Sequence, residues 1–188
     1  MMPNTRRVIM WNLITLDGFF EGSKSWELEF HKLAWGKELE EISIQQLRLT
    51  DTLLFGRITY EGMAAYWTQA QGEIADLMNS IHKMVFSQTL AKADWNNSTL
   101  VKDPPEQVVA KLRQERGKDA YIFGSAGLSA TLTRHGLIDE YRLCVVPVLW
   151  GHGNHLFRES PTVKMKLLEA GPLSNGCVIL RYEPEKAA

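Results

Sequence analysis

No stretch of this chain stays apolar for the roughly 20 residues that a membrane-spanning helix needs, so helical insertion into a bilayer is excluded. Residues 1–7 lead straight into an apolar strand pattern without the hydrophobic region of a secretory leader. Cysteine is scarce. Cys144 and Cys177 are the only two, far apart and each in an apolar run, which fits reduced core thiols better than a disulfide or metal framework. Neither sign of charge prevails: 21 basic and 22 acidic side chains leave a formal net charge of −1. That balance lacks the basic footprint of a protein that binds duplex nucleic acid or an anionic membrane. Repeats and low-complexity tracts are missing as well. A small-molecule partner and a cytoplasmic location are therefore expected.

The 188 residues, 45% of them apolar, suffice for one sizeable core and are too few for two comfortable domains, so residues 1–188 read as one domain. Residues 8–14 form an almost continuous apolar run stopped by Asp17-Gly18, the pattern of a central strand buried on both faces. Residues 23–35 mix Trp, Phe and Leu with charges and specify no element. A helix is expected over 37–49 with Leu39, Ile42 and Leu47 inward, then a strand at 52–55 and a helix at 58–67. Strands follow at 83–86 and 98–101. Asp103-Pro104-Pro105 predicts a helix through Arg116, with Asp103 as N-cap, Gly117 as stop and Val108, Val109 and Leu112 inward.

A strand at Tyr121, a helix from about Leu128 to His135-Gly136 and a strand at 141–146 come next. A glycine-rich loop spans 147–157, and strands at 164–170 and 176–182 are linked by a turn at 171–175. Alternating strands and helices followed by a run of strands imply an α/β fold. Its sheet is mainly parallel, covered on both faces, with antiparallel strands added near the C-terminus.

Two stretches carry the chemistry. Leu54-Phe55-Gly56-Arg57-Ile58-Thr59 and Tyr121-Ile122-Phe123-Gly124-Ser125-Ala126-Gly127-Leu128 each run from an apolar strand through glycine into a helix start. Glycine lets backbone approach a phosphate, and the helix that follows aims free N–H groups and its positive dipole end at the anion. Arg57 adds a planar, permanently charged fork suited to a phosphate monoester. Together they suggest a split dinucleotide site.

Thr15-Leu16-Asp17-Gly18, Phe55-Gly56-Arg57-x-Thr59-Tyr60-Glu61, Phe86-Ser87-Gln88, Phe123-Gly124-Ser125-Ala126-Gly127 and Pro147-x-x-x-Gly151-x-Gly153-x-x-Leu156-Phe157 follow in an order that resembles dihydrofolate-reductase-like proteins. The set is most similar to the reductase half of the bifunctional riboflavin-biosynthesis deaminase-reductase, over about residues 7–182. That resemblance implies a three-layer dihydrofolate-reductase-like fold and an NADPH-dependent reductase. Hydride would pass to a C=N or sugar C=O bond of a pterin-like substrate or of a ribosylamino-pyrimidine such as 5-amino-6-(5-phosphoribosylamino)uracil. Carried onto this chain, it assigns Gly56, Arg57 and Thr59 to the adenosine 2′-phosphate and pyrophosphate. Ser87 and Gln88 go to the adenosine side, and Gly124, Ser125, Ala126, Gly127 and Leu128 to the pyrophosphate. Thr15, Asp17 and Gly18 would lie near the nicotinamide. The zinc deaminase half needs an H-x-E and a P-C-x-x-C element, and neither is present, which excludes the deamination step.

Two carboxylates are catalytic candidates. Asp17 ends the first strand, and Glu40 falls near the helix carboxylate of dihydrofolate reductases when counted back from Gly56, with Glu38 and Glu41 as neighbours. Trp26 or Trp35 is expected near the substrate cleft. His152 and His155 have metal-pair spacing without a third ligand nearby, so no metal is expected. The apolar and aromatic surplus of the C-terminal strands predicts a homodimer. The competing reading is a nucleotide-binding sensor or accessory protein that reduces nothing.

Overall fold

Val8, Ile9 and Met10 are fully buried because they run through the middle of a sheet covered on both sides. The computed structural model describes residues 6–158 and 160–185. In chain order the elements are β1 (Val8–Thr15), β2 (Phe19–Glu21), α1 (His31–Ala34), α2 (Lys37–Arg48), β3 (Thr50–Gly56), α3 (Arg57–Trp67), α4 (Glu73–Ser80) and β4 (His82–Phe86). They continue with β5 (Ser98–Val101), α5 (Pro105–Leu112), β6 (Asp119–Phe123), α6 (Ala126–Arg134), β7 (Glu140–Val146), β8 (Asn154–His155), β9 (Met165–Pro172) and β10 (Val178–Pro184). Among the described residues the main sheet has eight strands in the order β5-β4-β3-β6-β1-β7-β10-β9. The first six are parallel. β10 and β9 are antiparallel additions.

Strand periodicity divides the core into two layers. Ile9, Trp11, Leu53, Phe55 and Tyr121 face Leu39 and Leu47 of α2, Tyr60 of α3 and Met78 of α4. Val8, Met10, Leu54 and Ile122 face Val109 and Leu112 of α5 and Leu128 and Leu132 of α6. The result is the three-layer α/β arrangement expected from the alternation of elements. Its parallel strands all send their carboxyl ends to one edge, where open sheets of this kind bind ligands.

Several local expectations are corrected. Residues 73–80 form a helix that the sequence reading passed over; Ala75 and Met78 are its buried positions, and an apolar stripe so short gives little periodicity to detect. β2 and β8 pair with each other although residues 154–155 fall in the expected 147–157 loop and 19–21 specify no element, both being too short to show alternation. The fifth helix stops at Leu112, not Arg116, and Asp103 does not cap it: Pro104 holds the N-cap position without a side-chain bond. Gly117 instead makes room for the Arg6 guanidinium, which a Cβ there would meet at 1.9 Å. Gly171 and Pro172 extend β9, so the final turn falls at 173–177, beyond the expected 171–175. Both cysteines are free and buried, and burial pushes the Cys144 thiol up to about 12.

One buried anion fastens the end of the sheet away from the ligand edge. Glu140, fully buried, bonds to Arg7 ahead of β1, to Arg142 of β7 and, at 2.6 Å, to Arg181 Nε of β10. Arg142 also donates to the Tyr121 hydroxyl at 2.6 Å and to Gln46 Oε1 at 3.1 Å, tying in β6 and α2. Burial alone would raise the Glu140 pKa, but bonds from Arg181 and Arg142 and the attraction of Arg142 hold it at about 2.

A carboxylate held below its unfolded value stabilises the fold above that value and loses the contribution as it protonates. Stability should therefore fall as pH drops from about 4.5 toward 2, a decline followed by chemical denaturation across that range. Glu140→Gln leaves three arginines around a neutral amide and should cost about 3–5 kcal/mol at pH 7 while flattening the acid limb. An unchanged acid limb in the variant would show that other groups set it.

Candidate functional site

The two strand-Gly-helix junctions lie side by side at the carboxyl edge, since β3 and β6 are neighbours in the sheet. Their backbones are bonded together. Gly56 N–H donates to Ser125 Oγ at 3.1 Å, and Ser125 N–H donates to Thr59 Oγ1 at 3.0 Å. Gly124 N–H donates to Asn12 Oδ1 of β1 at 2.8 Å. Gly124 and Ser125 both adopt left-handed backbone, with φ of +55° and +51°. Glycine takes that conformation without cost; at Ser125 the two bonds hold a geometry that a serine otherwise disfavours. This pair of residues turns the chain sharply out of β6 and starts α6 with its first-turn amides open to the cavity.

A cavity of about 1310 Å³ spreads from these junctions across the helix face of the sheet. Gly56, Arg57, Thr59, Gly124, Ser125, Ala126, Gly127 and Leu128 all line it, so the structure brings together the two predicted halves of the cradle. A Cβ placed on Gly127 meets nothing within 4 Å, which marks open space at the helix start; one on Gly124 would press on Thr59 Cγ2 at 3.1 Å. Arg57 is partnered at present by Glu61, one turn along α3, at 3.1 Å, with 44% and 46% of the two side chains exposed. An exposed pair at this spacing is worth only about 0.3–0.5 kcal/mol. Charge-assisted bonds to a phosphate are worth about 1.5–3 kcal/mol, so an incoming anion outcompetes Glu61.

Not every expected residue joins them. Ser87 and Gln88 lie at the carboxyl end of β4, outside the cavity lining. The Ser87 hydroxyl accepts from the amides of Thr89 and Leu90 in the local turn, and Gln88 Nε2 donates to the Lys102 carbonyl after β5. Thr15, Asp17 and Gly18 are likewise absent from the lining. Asp17 takes the Thr15 hydroxyl at 2.6 Å, Trp150 N–H at 3.0 Å and Gly151 N–H at 2.8 Å. What burial it has would raise its pKa, but these bonds win and hold it at about 2. A carboxylate so occupied fastens the loop after β7 to the end of β1.

The other candidates do face the cavity. Glu40, exposed on α2, lines it, as do Trp26 and Trp35. Trp26 sits in left-handed backbone at φ +71°, its Nε1–H donates to the Ile58 carbonyl at 3.2 Å, and its ring fills the space beside Gly62, where a Cβ would fall 1.8 Å from it. His152 and His155 stack on Trp150 and Phe19 respectively. Asn12 and the wall residues Met63 and Met78 are not singled out from sequence, and Trp67 only as one of several tryptophans able to stack a planar ring. Asn12 left a signal, being the one polar residue in the apolar run of β1; Met63 and Met78 left none, because an apolar side chain facing a cavity looks the same in sequence as one facing the core.

The family model of the RibD C-terminal domain matches residues 6–179. Uncharacterized protein YyaP of Bacillus subtilis (strain 168) is 31% identical over 186 residues, covering 94% of each chain. Among solved structures, a putative riboflavin biosynthesis protein from Shewanella sp. PV-4 aligns with a TM-score of 0.80 at 19% identity, covering 96% of this chain and 99% of that one. Dihydrofolate reductase from Enterococcus faecalis, complexed with NADP(H), aligns with a TM-score of 0.64 at 14% identity, covering 96% and 97% of the two chains. These two structures share the three-layer dihydrofolate-reductase-like fold, and with most of its length matched by the family model, the chain belongs to the RibD C-terminal domain family.

Proposed function

We propose that this protein is an NADPH-dependent reductase that passes hydride to a C=N or C=O bond of a planar heterocyclic substrate. The observation that carries the reading is the bonded pair of glycine junctions opening into one large cavity at the carboxyl edge. In this reading the first-turn amides of α6 and the space at Gly127 receive the pyrophosphate, and Arg57 takes the 2′-phosphate. The bound nicotinamide would supply the hydride. The protein's own part is to orient both ligands, shield them from water and steer a proton. Glu40 is the candidate for that last role, since it faces the cavity while Asp17 is consumed by the loop.

Titration with both dinucleotides tests the cofactor. Wild type should prefer NADPH, and Arg57→Ala should weaken NADPH by about 1.5–3 kcal/mol while leaving NADH nearly unchanged. Equal affinities in wild type would reject the assignment. Gly127→Val should leave the circular dichroism spectrum native, because its Cβ enters open space, yet abolish binding of both cofactors.

For the chemistry, NADPH oxidation with a panel of pterins and pyrimidines should fall at least tenfold in Glu40→Gln, about 1.4 kcal/mol of barrier, with NADPH affinity kept. Full cofactor binding without turnover on any acceptor would favour the sensor reading.

We also propose a homodimer. Leu167 and Leu168, 51% and 41% exposed, lie on β9, the antiparallel edge of the sheet, and an uncovered apolar edge strand invites a second copy. Sedimentation at micromolar concentration should report the dimer, and Leu167→Lys should shift it to monomer.

A further inference from the structure

The cavity has a second wall, across from the glycine junctions, built by α2, the later turns of α3 and α4. Trp35, Leu39, Met63, Trp67, Ile74 and Met78 line it. Met63, Trp67 and Ile74 are only half-buried and Trp35 is 53% exposed. Apolar and aromatic surface left open inside a cavity suits an apolar occupant.

The hydroxyl, indole and amide oxygen of this wall are already committed, while the buried Gln46 Nε2 has no hydrogen-bond partner and stays a neutral donor there. Ser43 Oγ donates to the Leu39 carbonyl at 2.7 Å, Trp67 Nε1–H to Met63 Sδ at 3.2 Å, and Gln46 Oε1 accepts from Arg142. Of the cations of the three helices, Lys37 and Arg48 do not line the cavity, and Arg57 lies at the glycine junctions, where the cofactor reading already uses it. Lys37 pairs with Glu41, Arg48 with Glu73 and Arg57 with Glu61, while α4 carries no lysine or arginine. The charges facing the cavity from α2 and α4 are those of Glu40 and Glu73. Lys32 and Arg158, the remaining cations of the lining, belong to α1 and to the segment after β8.

A phosphate leaves water only for charge-assisted donors. This wall offers it the carboxylates of Glu40 and Glu73, the latter paired with Arg48, one neutral amide donor and a hydrophobic surface, with no lining cation on α2 or α4. Resting on the reductase reading above, we propose that the wall receives an uncharged, planar, apolar-substituted portion of the substrate and rejects a phosphorylated sugar. The chain would then differ from a phosphoribosylamino-pyrimidine reductase in its substrate, with the fold and the cofactor cradle retained.

Fluorescence titration with lumiflavin and with riboflavin 5′-phosphate, in the presence and absence of NADPH, tests this with one ring that lacks or carries a phosphate. Lumiflavin should bind at least tenfold more tightly. Trp67→Ala should weaken lumiflavin by tenfold or more at unchanged NADPH affinity. Ser43→Arg, at a half-buried helix position, places an unpaired cation on the wall and should narrow or reverse the preference; it also decides the matter if Trp67→Ala fails to fold. Equal or tighter binding of the phosphate, no binding of lumiflavin, or a preference that Ser43→Arg leaves unchanged would each overturn the proposal. Loss of NADPH binding with the lumiflavin preference intact would instead defeat the cofactor assignment alone.

Discussion

Backbone amides at the ends of parallel strands have no ladder partner and must find one, and in this protein that requirement builds the site. Gly56, Gly124 and Ser125 give their N–H groups to side chains of Ser125, Asn12 and Thr59. Each bond joins two elements: α6 to β3, β6 to β1, and α6 to α3. The left-handed turn at Gly124 and Ser125 persists because these bonds hold it, and the direction of α6 follows from that turn. Remove the three side-chain acceptors and the strand ends lose both their satisfied amides and their mutual spacing. The cavity exists where it does because the polar bookkeeping of three strand ends is closed locally, leaving the first turn of α6 unengaged.

The opposite edge of the sheet is organised by charge. Glu140 gathers arginines from the segment before β1, from β7 and from β10, and Arg142 reaches on to β6 and α2. The loops at the ligand edge rely on weaker and more local contacts, such as Asp17 with Trp150 and Gly151. Rigid pairing at one edge and short-range fastening at the other allow the ligand side to differ between relatives without disturbing strand order.

Much of the architecture was legible because buried parallel strands write themselves as uninterrupted apolar runs, as 8–14 and 52–55 do. The glycine cradle was legible for a different reason: few residues besides glycine suit a chain that must turn sharply beside a helix start. What escaped notice was short or contextual. A helix such as α4 has two fully buried positions, and β2 and β8 are too brief to alternate. Asp17 shows the limit most clearly. Asp-Gly after a strand reads equally as turn or as catalytic acid, and the choice depends on the amides of Trp150 and Gly151, which are more than 130 residues away and invisible to local pattern.

The packing of Trp26 against Gly62 ties two distant choices of residue to each other. An indole occupies the volume that any side chain at position 62 would claim, and it does so from a segment that lines the ligand cavity. Descendants of this chain can enlarge residue 62 only if residue 26 shrinks or swings away, so the two positions should change together or not at all. The same contact leaves a fluorophore at the boundary between cavity and helix, where any displacement of residues 22–28 alters its surroundings.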